Sequence, residues 1–76
     1  MTSLVMVTRK GCHLCDQALG FLRTLGHEPE LEDVESDDRL HDLYDWRVPV
    51  ILVEGRVVLE GHITPEALRT ALQPQS

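Results

Sequence analysis

The spacing of apolar residues along the chain predicts four β-strands. Short apolar runs bounded by turn residues indicate strands at 3–8, 48–53 and 56–60. A two-residue turn at 54–55 joins the last two strands as a hairpin. Weaker alternation indicates a further strand at 27–34, and the proline in that stretch favours the edge of a sheet because proline has no amide hydrogen to donate.

Apolar residues at three- and four-residue intervals predict three helices. The first covers 12–25 and ends before Gly26, a residue suited to a left-handed C-terminal cap. The second begins at Ser36, whose hydroxyl suits a helix N-cap, and the third begins at Thr64-Pro65. The order strand, helix, strand, helix, strand, strand, helix predicts an α/β fold with one mixed four-stranded sheet.

The length of the chain, 76 residues, allows one domain. We expect this domain to cover 1–73 and the polar tail 74–76 to fray. No apolar run approaches the ~20 residues that cross a bilayer, and the first residues are apolar over too short a stretch for a signal peptide. We therefore expect a cytoplasmic protein that has no membrane partner.

The chain is acidic, with a formal net charge of −6. Such a surface repels phosphate groups, which argues against nucleic acid as a partner. Much of the acidity falls between Glu28 and Asp45, where a solvated, solubilising face is the favoured interpretation and docking to a basic patch on another protein is the alternative. We expect a monomer.

The candidate chemistry lies in Cys12-His13-Leu14-Cys15, at the predicted junction of the first strand and the first helix. Two thiols at this spacing can close a reversible disulfide, and a helix N-terminus favours the thiolate of the first one. Lowering the pKa of a thiol from that of free cysteine to near neutrality raises its thiolate fraction at neutral pH from a few per cent to about half. Cys12 is therefore the predicted nucleophile, and Cys15 is the shielded thiol that resolves its mixed disulfide.

This arrangement resembles the thioredoxin superfamily, and within it the glutaredoxin-like proteins and small redoxins. The resemblance extends over 3–72 and rests on the segments 11–16 and 47–50 and on Gly61 before the last helix. It implies a thioredoxin-like fold with the order βαβαββα and the activity of a glutaredoxin-like thiol-disulfide oxidoreductase. It also implies a cis peptide bond in the Val-Pro pair of 47–50, lying against the active-site sulfurs.

The resemblance and the sequence around the two cysteines single out three candidates for tuning the thiolate. These are His13, Arg9 and Arg47, because a nearby positive charge favours an anion. Either arginine could instead bind a carboxylate of a client. The alternative for all three is an exposed, solvated side chain that has little effect on the sulfurs.

A client polypeptide is expected to bind at Val48 and Pro49. Proline has no amide hydrogen, so the backbone of Val48 is left open to pair with an extended client chain, as in strand addition. A proline that only starts a strand is the alternative. Trp46 comes just before this loop and could rim the client groove, but packing at the end of the second helix is the favoured interpretation.

Electrons are expected from glutathione or from a thioredoxin-reductase system, with no bound cofactor and no resident metal. Glutaredoxins grip glutathione partly through a Gly-Gly pair and an acid at the start of the last helix, whereas the segment 61–65 has one glycine and no such acid. Clients would be protein disulfides or glutathione mixed disulfides. The alternative function is a metal or iron–sulfur cluster carrier that uses Cys12 and Cys15, although two thiolates fall short of four ligands.

Overall fold

The computed structural model describes residues 3–72, and the predicted tail 74–76 lies outside the described residues. Within 3–72 the chain forms four strands, three α-helices and a single turn of 3-10 helix at Val34–Ser36. In chain order the main elements are β1 (Leu4–Thr8), α1 (His13–Thr24), β2 (Glu30–Asp33), α2 (Asp38–Tyr44), β3 (Val50–Val53), β4 (Arg56–Glu60) and α3 (Pro65–Ala71). None of these three helices is long and apolar enough to span a membrane.

The strands form one mixed sheet in the order β2-β1-β3-β4. β1 runs parallel to β2 and antiparallel to β3, and β3 runs antiparallel to β4. The parallel pair requires a long connection, which α1 supplies, whereas β3 and β4 need only the turn at Glu54 and Gly55. Both turn residues have positive φ, 51° and 79°, as a tight hairpin turn requires. The predicted α/β architecture is confirmed.

Each face of the sheet carries its own hydrophobic cluster, because successive side chains of a strand point to opposite faces. Met6 and Ile51, which are paired across β1 and β3, pack with Leu22 of α1 and Leu68 of α3. All four side chains are fully buried. Burying each of them contributes roughly 1.5–3 kcal/mol. This cluster fixes α1, and therefore its N-terminus, against the sheet.

The opposite face of the sheet is covered by α2 and the 3-10 turn. Val7, Val34 and Val50 form a smaller buried cluster there, with side chains of α2 packed against it. Leu40, Leu43 and Tyr44 form the apolar stripe of this helix, but Leu43 is 56% exposed. Because α2 has seven residues and therefore fewer than two full turns, it cannot bury every member of that stripe.

The connection between β2 and α2 differs from the prediction. β2 ends at Asp33, and the predicted cap Ser36 lies in the 3-10 turn, where its hydroxyl donates to the Asp33 carbonyl oxygen at 2.7 Å. Asp37 is the N-cap of α2, because its carboxylate accepts a hydrogen bond from the Arg39 amide at 2.7 Å. Serine and aspartate are similarly good caps, so periodicity alone does not rank them.

The loops that carry the predicted site lie together at one end of the strands. Val7 pairs with Val50, and Val50 pairs with Glu60, so the end of β1, the start of β3 and the end of β4 lie side by side. The cysteines follow β1 directly. We call this region the cysteine edge, and it consists of the loops 9–12, 45–49 and 61–64.

Candidate redox site

Cys12 and Cys15 lie at the N-terminus of α1 and form a disulfide. Cys12 is the N-cap residue, with an extended backbone (φ −87°, ψ 109°), and Cys15 is the third residue of the helix. Their Cα atoms are 5.2 Å apart, within the range that a disulfide spans. The Cys15 amide donates a hydrogen bond to Cys12 Sγ at 3.1 Å. The spacing of the two residues therefore brings both sulfurs together at the cysteine edge.

The two sulfurs differ in exposure. Cys15 is 3% exposed, whereas Cys12 is only partly buried. A partner therefore reaches Cys12 more easily than Cys15. The first amide groups of a helix lack partners within the helix and lie at the positive end of its dipole, and both features favour negative charge on a sulfur at the cap position.

The turn that precedes α1 holds Cys12 in place. The Cys12 amide donates to the Arg9 carbonyl oxygen at 3.2 Å, and Gly11 within this turn has a φ of +79°. Glycine adopts this left-handed conformation at little cost because it has no Cβ. The Cys12 carbonyl oxygen then accepts the Asp16 amide at 3.1 Å, which opens the helical hydrogen-bond series. The Gly-Cys pair thus sets both the turn and the cap.

The two residues between the cysteines face solvent. His13 is the first residue of α1 and is exposed, and Leu14 is 38% exposed. The first helical turn therefore presents an imidazole and an apolar side chain on the surface beside Cys12. The influence of His13 on the thiolate stays a prediction.

The peptide bond between Val48 and Pro49 is cis, as the resemblance implies. The Gly61 amide donates to the carbonyl oxygens of both Arg47 and Pro49, at 3.0 and 2.9 Å, and so ties the loop 45–49 to the end of β4. Among the described residues, no backbone hydrogen bond engages Val48. Its amide and carbonyl groups therefore have no backbone partner within 3–72.

Arg9, one of the predicted tuning residues, is held in an ion pair. Its Nη2 contacts Asp45 Oδ1, and its Nε lies 3.8 Å from Glu35 Oε1. His41 Nε2 lies 3.4 Å from the same oxygen of Asp45. The side chains of Arg9 and Asp45 are 32% and 14% exposed. The guanidinium is therefore not simply solvated, and the Asp45 carboxylate offsets its charge.

Arg47, the other predicted cation, is held by Glu60 at the end of β4. Its Nε donates to Glu60 Oε2 at 2.7 Å, and its Nη2 contacts the same oxygen. Its Nη1 donates to the Leu43 carbonyl oxygen at 3.2 Å, and its guanidinium carbon lies 5.2 Å from the centre of the Tyr44 ring. Every nitrogen of the guanidinium thus has a partner within the protein. The Glu60 carboxylate offsets the Arg47 charge that a ligand carboxylate would meet.

Trp46 is 92% exposed, so the prediction that it packs at the end of α2 is wrong. The chain turns at this residue, because the Arg47 amide donates to the Tyr44 carbonyl oxygen at 2.9 Å. The indole therefore lies in solvent between the end of α2 and the Val-Pro pair. An exposed tryptophan is typical of contact surfaces, since it buries a large apolar area when a partner binds.

Two carboxylates were not singled out from the sequence, Asp45 in the cysteine edge and Glu60 at the end of β4. Each pairs with an arginine that is distant along the chain, and only the folded sheet brings the partners together. For Glu60 an indirect signal exists. The predicted hairpin sets the end of β4 beside the start of β3, and Arg47 comes just before that start.

The part of the chain that the structure describes, 3–72, contains no group of three or more His, Cys, Asp or Glu side chains placed to hold a metal ion. The sulfurs of Cys12 and Cys15 are joined to each other. A metal ion bound by the two reduced cysteines would need further ligands from outside the described part of the chain.

A known protein family matches almost the whole chain. The family model of the glutaredoxin-like domain (DUF836) matches residues 3–73. No curated protein shows a significant match to the chain. The family match covers both cysteines, the Val-Pro pair and all the described strands and helices.

Several solved structures share the fold. Protein XcR50 from X. campestris is 32% identical with a TM-score of 0.79, over 92% of this chain and 95% of that one. Protein Ne2328 from Nitrosomonas europaea is 28% identical with a TM-score of 0.80, over 95% and 92% of the two chains. The thioredoxin-like protein BC3987 is 27% identical with a TM-score of 0.73, over 92% and 100%. The chain therefore belongs to the glutaredoxin-like domain family (DUF836), with a thioredoxin-like fold whose Cys12–Cys15 pair indicates a redox function.

Proposed function

We propose that this protein is a thiol-disulfide oxidoreductase that reduces client disulfides through the Cys12 and Cys15 dithiol. One observation carries the proposal. A partly exposed sulfur lies at the N-cap of α1, bonded to a buried sulfur one turn further into the helix. This asymmetry separates the sulfur that meets the client from the sulfur that finishes the exchange.

The reaction runs in two exchanges of sulfur partners. The Cys12 thiolate attacks one sulfur of the client disulfide, the client S–S bond breaks, and the released client sulfur takes up a proton. Cys15 then gives up its proton and attacks Cys12 Sγ within the mixed disulfide. The second client thiol leaves, and the Cys12–Cys15 disulfide forms. The client gains two electrons from the protein and two protons, of which one is given up by Cys15 and the other was released to water when Cys12 ionised.

The helix N-terminus supports the first step. The Cys15 amide points at Cys12 Sγ at 3.1 Å, so a donor is already in position for the thiolate. Stabilising the thiolate increases the fraction of Cys12 that can attack near neutral pH. Cys12 therefore acts as the nucleophile and Cys15 as the resolving thiol.

Client binding is proposed at the loop that contains Val48 and Pro49. The unpaired backbone groups of Val48 can accept and donate hydrogen bonds to an extended segment of the client, in the manner of strand addition. Trp46, exposed beside this loop, supplies an apolar contact. Backbone pairing of this kind suits many client sequences, because it does not read side chains.

Reduction of insulin disulfides with dithiothreitol as the reductant tests the activity. The wild-type protein should accelerate the reaction, and Cys12→Ser should abolish the acceleration. Cys15→Ser keeps the nucleophile but lacks the resolving thiol, so it should accumulate a mixed disulfide with the client that mass spectrometry assigns to Cys12.

Two results would contradict the proposal. If Cys12→Ser still accelerates the reaction, Cys12 is not the nucleophile. If Cys12→Ser forms a client adduct at Cys15, the roles of nucleophile and resolving thiol are the reverse of those proposed. Metal content and visible absorbance after anaerobic purification test the alternative of a metal or cluster carrier in the same preparation.

A further inference from the structure

We infer that Glu60 is a specificity-determining residue that makes the site unfavourable for anionic low-molecular-weight thiols such as glutathione, so that a protein dithiol is the preferred electron donor. The inference rests on the proposed function and concerns the return half of the cycle, in which the Cys12–Cys15 disulfide is reduced. A protein dithiol supplies both electrons and both protons of that step and becomes a disulfide itself.

Arg47 is a cation at the same end of the sheet as Cys12, where an incoming anionic thiol arrives. It directly precedes the Val-Pro pair, and its carbonyl oxygen shares the Gly61 amide with that of Pro49. The pairing of Val50 with both Val7 and Glu60 sets this loop beside the end of β1, from which the chain continues to Cys12. Arg47 is 41% exposed, so solvent and ligands reach it.

The charge of Arg47 is nevertheless already matched by the protein. Nε and Nη2 of Arg47 both contact Glu60 Oε2, and Nη1 donates a hydrogen bond to the Leu43 carbonyl oxygen. Glutathione carries two carboxylates and one ammonium group. A carboxylate that approaches Arg47 is repelled by the Glu60 charge, which offsets the attraction of the guanidinium.

Arg9 repeats this pattern on the other side of the loop 45–49. Its guanidinium contacts Asp45, whose side chain is only 14% exposed, with Glu35 nearby. Arg9 and Arg47, the two arginines of the cysteine edge, are thus each paired with a carboxylate of the same chain. A polypeptide donor that pairs with the Val48 backbone does so through neutral hydrogen bonds, so the Glu60 charge does not oppose that contact.

The expected effect is moderate because the Arg47–Glu60 pair is partly exposed. Ion pairs of this kind contribute little, and removing the Glu60 charge should speed reduction by glutathione roughly two- to five-fold. The gain should shrink as the salt concentration rises, since ions screen exposed charges.

The test compares glutathione with its diethyl ester, in which both carboxylates are replaced by neutral ethyl esters. The oxidised protein is mixed with each thiol, and the rate of Cys12–Cys15 reduction is followed by alkylation and mass spectrometry. The ratio of the glutathione rate to the ester rate should rise roughly two- to five-fold in Glu60→Gln. It should stay at the wild-type value in Glu54→Gln, which makes the same charge change in the hairpin turn at the opposite end of the sheet.

The double variant Arg47→Gln/Glu60→Gln should lose the gain, because the inference assigns it to the unmasked guanidinium. An unchanged ratio in Glu60→Gln, an equal gain in Glu54→Gln, or a gain that persists without Arg47 would each overturn the inference. A glutathione rate that falls in Lys10→Gln but does not respond to Glu60→Gln would overturn it as well, by assigning the anion contact to Lys10. The proposed function fails on a different result, namely no insulin reduction with dithiothreitol.

Discussion

At the scale of single residues, the site depends on the difference between two cysteines three positions apart. We predict that the pKa of Cys12 is lower than that of a free cysteine, because the first amides of α1 and the helix dipole favour its thiolate. Thiolate absorbance against pH in Cys15→Ser measures this pKa without a second thiol. A Cys12 that titrates like a free cysteine would remove the nucleophile assignment.

Trp46 supports a second prediction at this scale. Because its side chain is 92% exposed, Trp46→Ala should change the free energy of unfolding by no more than about 0.5 kcal/mol, measured by circular dichroism in denaturant. The KM for a polypeptide disulfide should rise about five-fold or more if the indole is a contact residue. The KM of Trp46→Phe should fall between those of the wild type and Trp46→Ala.

Leu31→Ala is the matched control for Trp46→Ala, since it also removes an exposed apolar side chain, but from the edge strand β2. It should leave the KM unchanged. Equal KM changes in the two variants would show that general surface hydrophobicity, and not a contact at Trp46, governs client binding.

The residues of the site were predictable in part from the sequence. Cys12 and Cys15 follow from their spacing at a strand–helix junction, and the cis bond before Pro49 follows from the resemblance. The partners of Arg9 and Arg47 do not, because ion pairs between distant segments depend on strand register and side-chain direction. The exposure of Trp46 was not predicted either, because Trp46 lies in a turn after α2 and that turn sets the direction of its side chain.

At the scale of the elements, capping residues decide where the helices begin. The Ala67 amide of α3 donates to Thr64 Oγ1 at 3.1 Å. Thr64→Ala should therefore destabilise the protein by about 1 kcal/mol in chemical denaturation. Thr70→Ala makes the same change at an exposed position inside α3, where alanine has the higher helix propensity, and it should be neutral or slightly stabilising. Equal losses in both variants would argue against a specific cap.

The order and type of the elements were predictable, and their ends less so. Thr64-Pro65 marks the start of α3 because threonine caps and proline suits the first turn, and the structure agrees. Ser36 has the same cap chemistry, yet Asp37 caps α2. Several acidic and hydroxyl side chains compete in this short connection, in which Val34 is buried in the cluster with Val7 and Val50.

At the scale of the whole molecule, a small core has little stability to spare. Ile51 lies on the central strand β3 and packs against α1 and α3, so Ile51→Ala should cost about 2–5 kcal/mol. That is a large share of the roughly 5–15 kcal/mol typical of domains. Val57→Ala, on the edge strand β4 at 39% exposure, should cost much less. Urea unfolding of both variants checks the contrast, and equal losses would contradict the assigned core.

The overall topology was predictable because few arrangements satisfy the order of the elements. A strand, a helix and a second strand form a parallel unit, and a two-residue turn forces an antiparallel hairpin. The order of the elements does not predict that three loops meet at the cysteine edge. There the Gly61 amide donates hydrogen bonds to the carbonyl oxygens of Arg47 and Pro49. That contact depends on how far each strand extends, which the apolar pattern leaves open by a few residues.

The position of Trp46 has a practical consequence. It is the only tryptophan of the chain and is almost entirely in water, beside the loop where clients are proposed to bind. Indole fluorescence shifts to shorter wavelengths when the ring leaves water. Association of a tryptophan-free partner with this protein should therefore register as a blue shift in emission, which gives a label-free optical signal for docking that is independent of the sulfur chemistry.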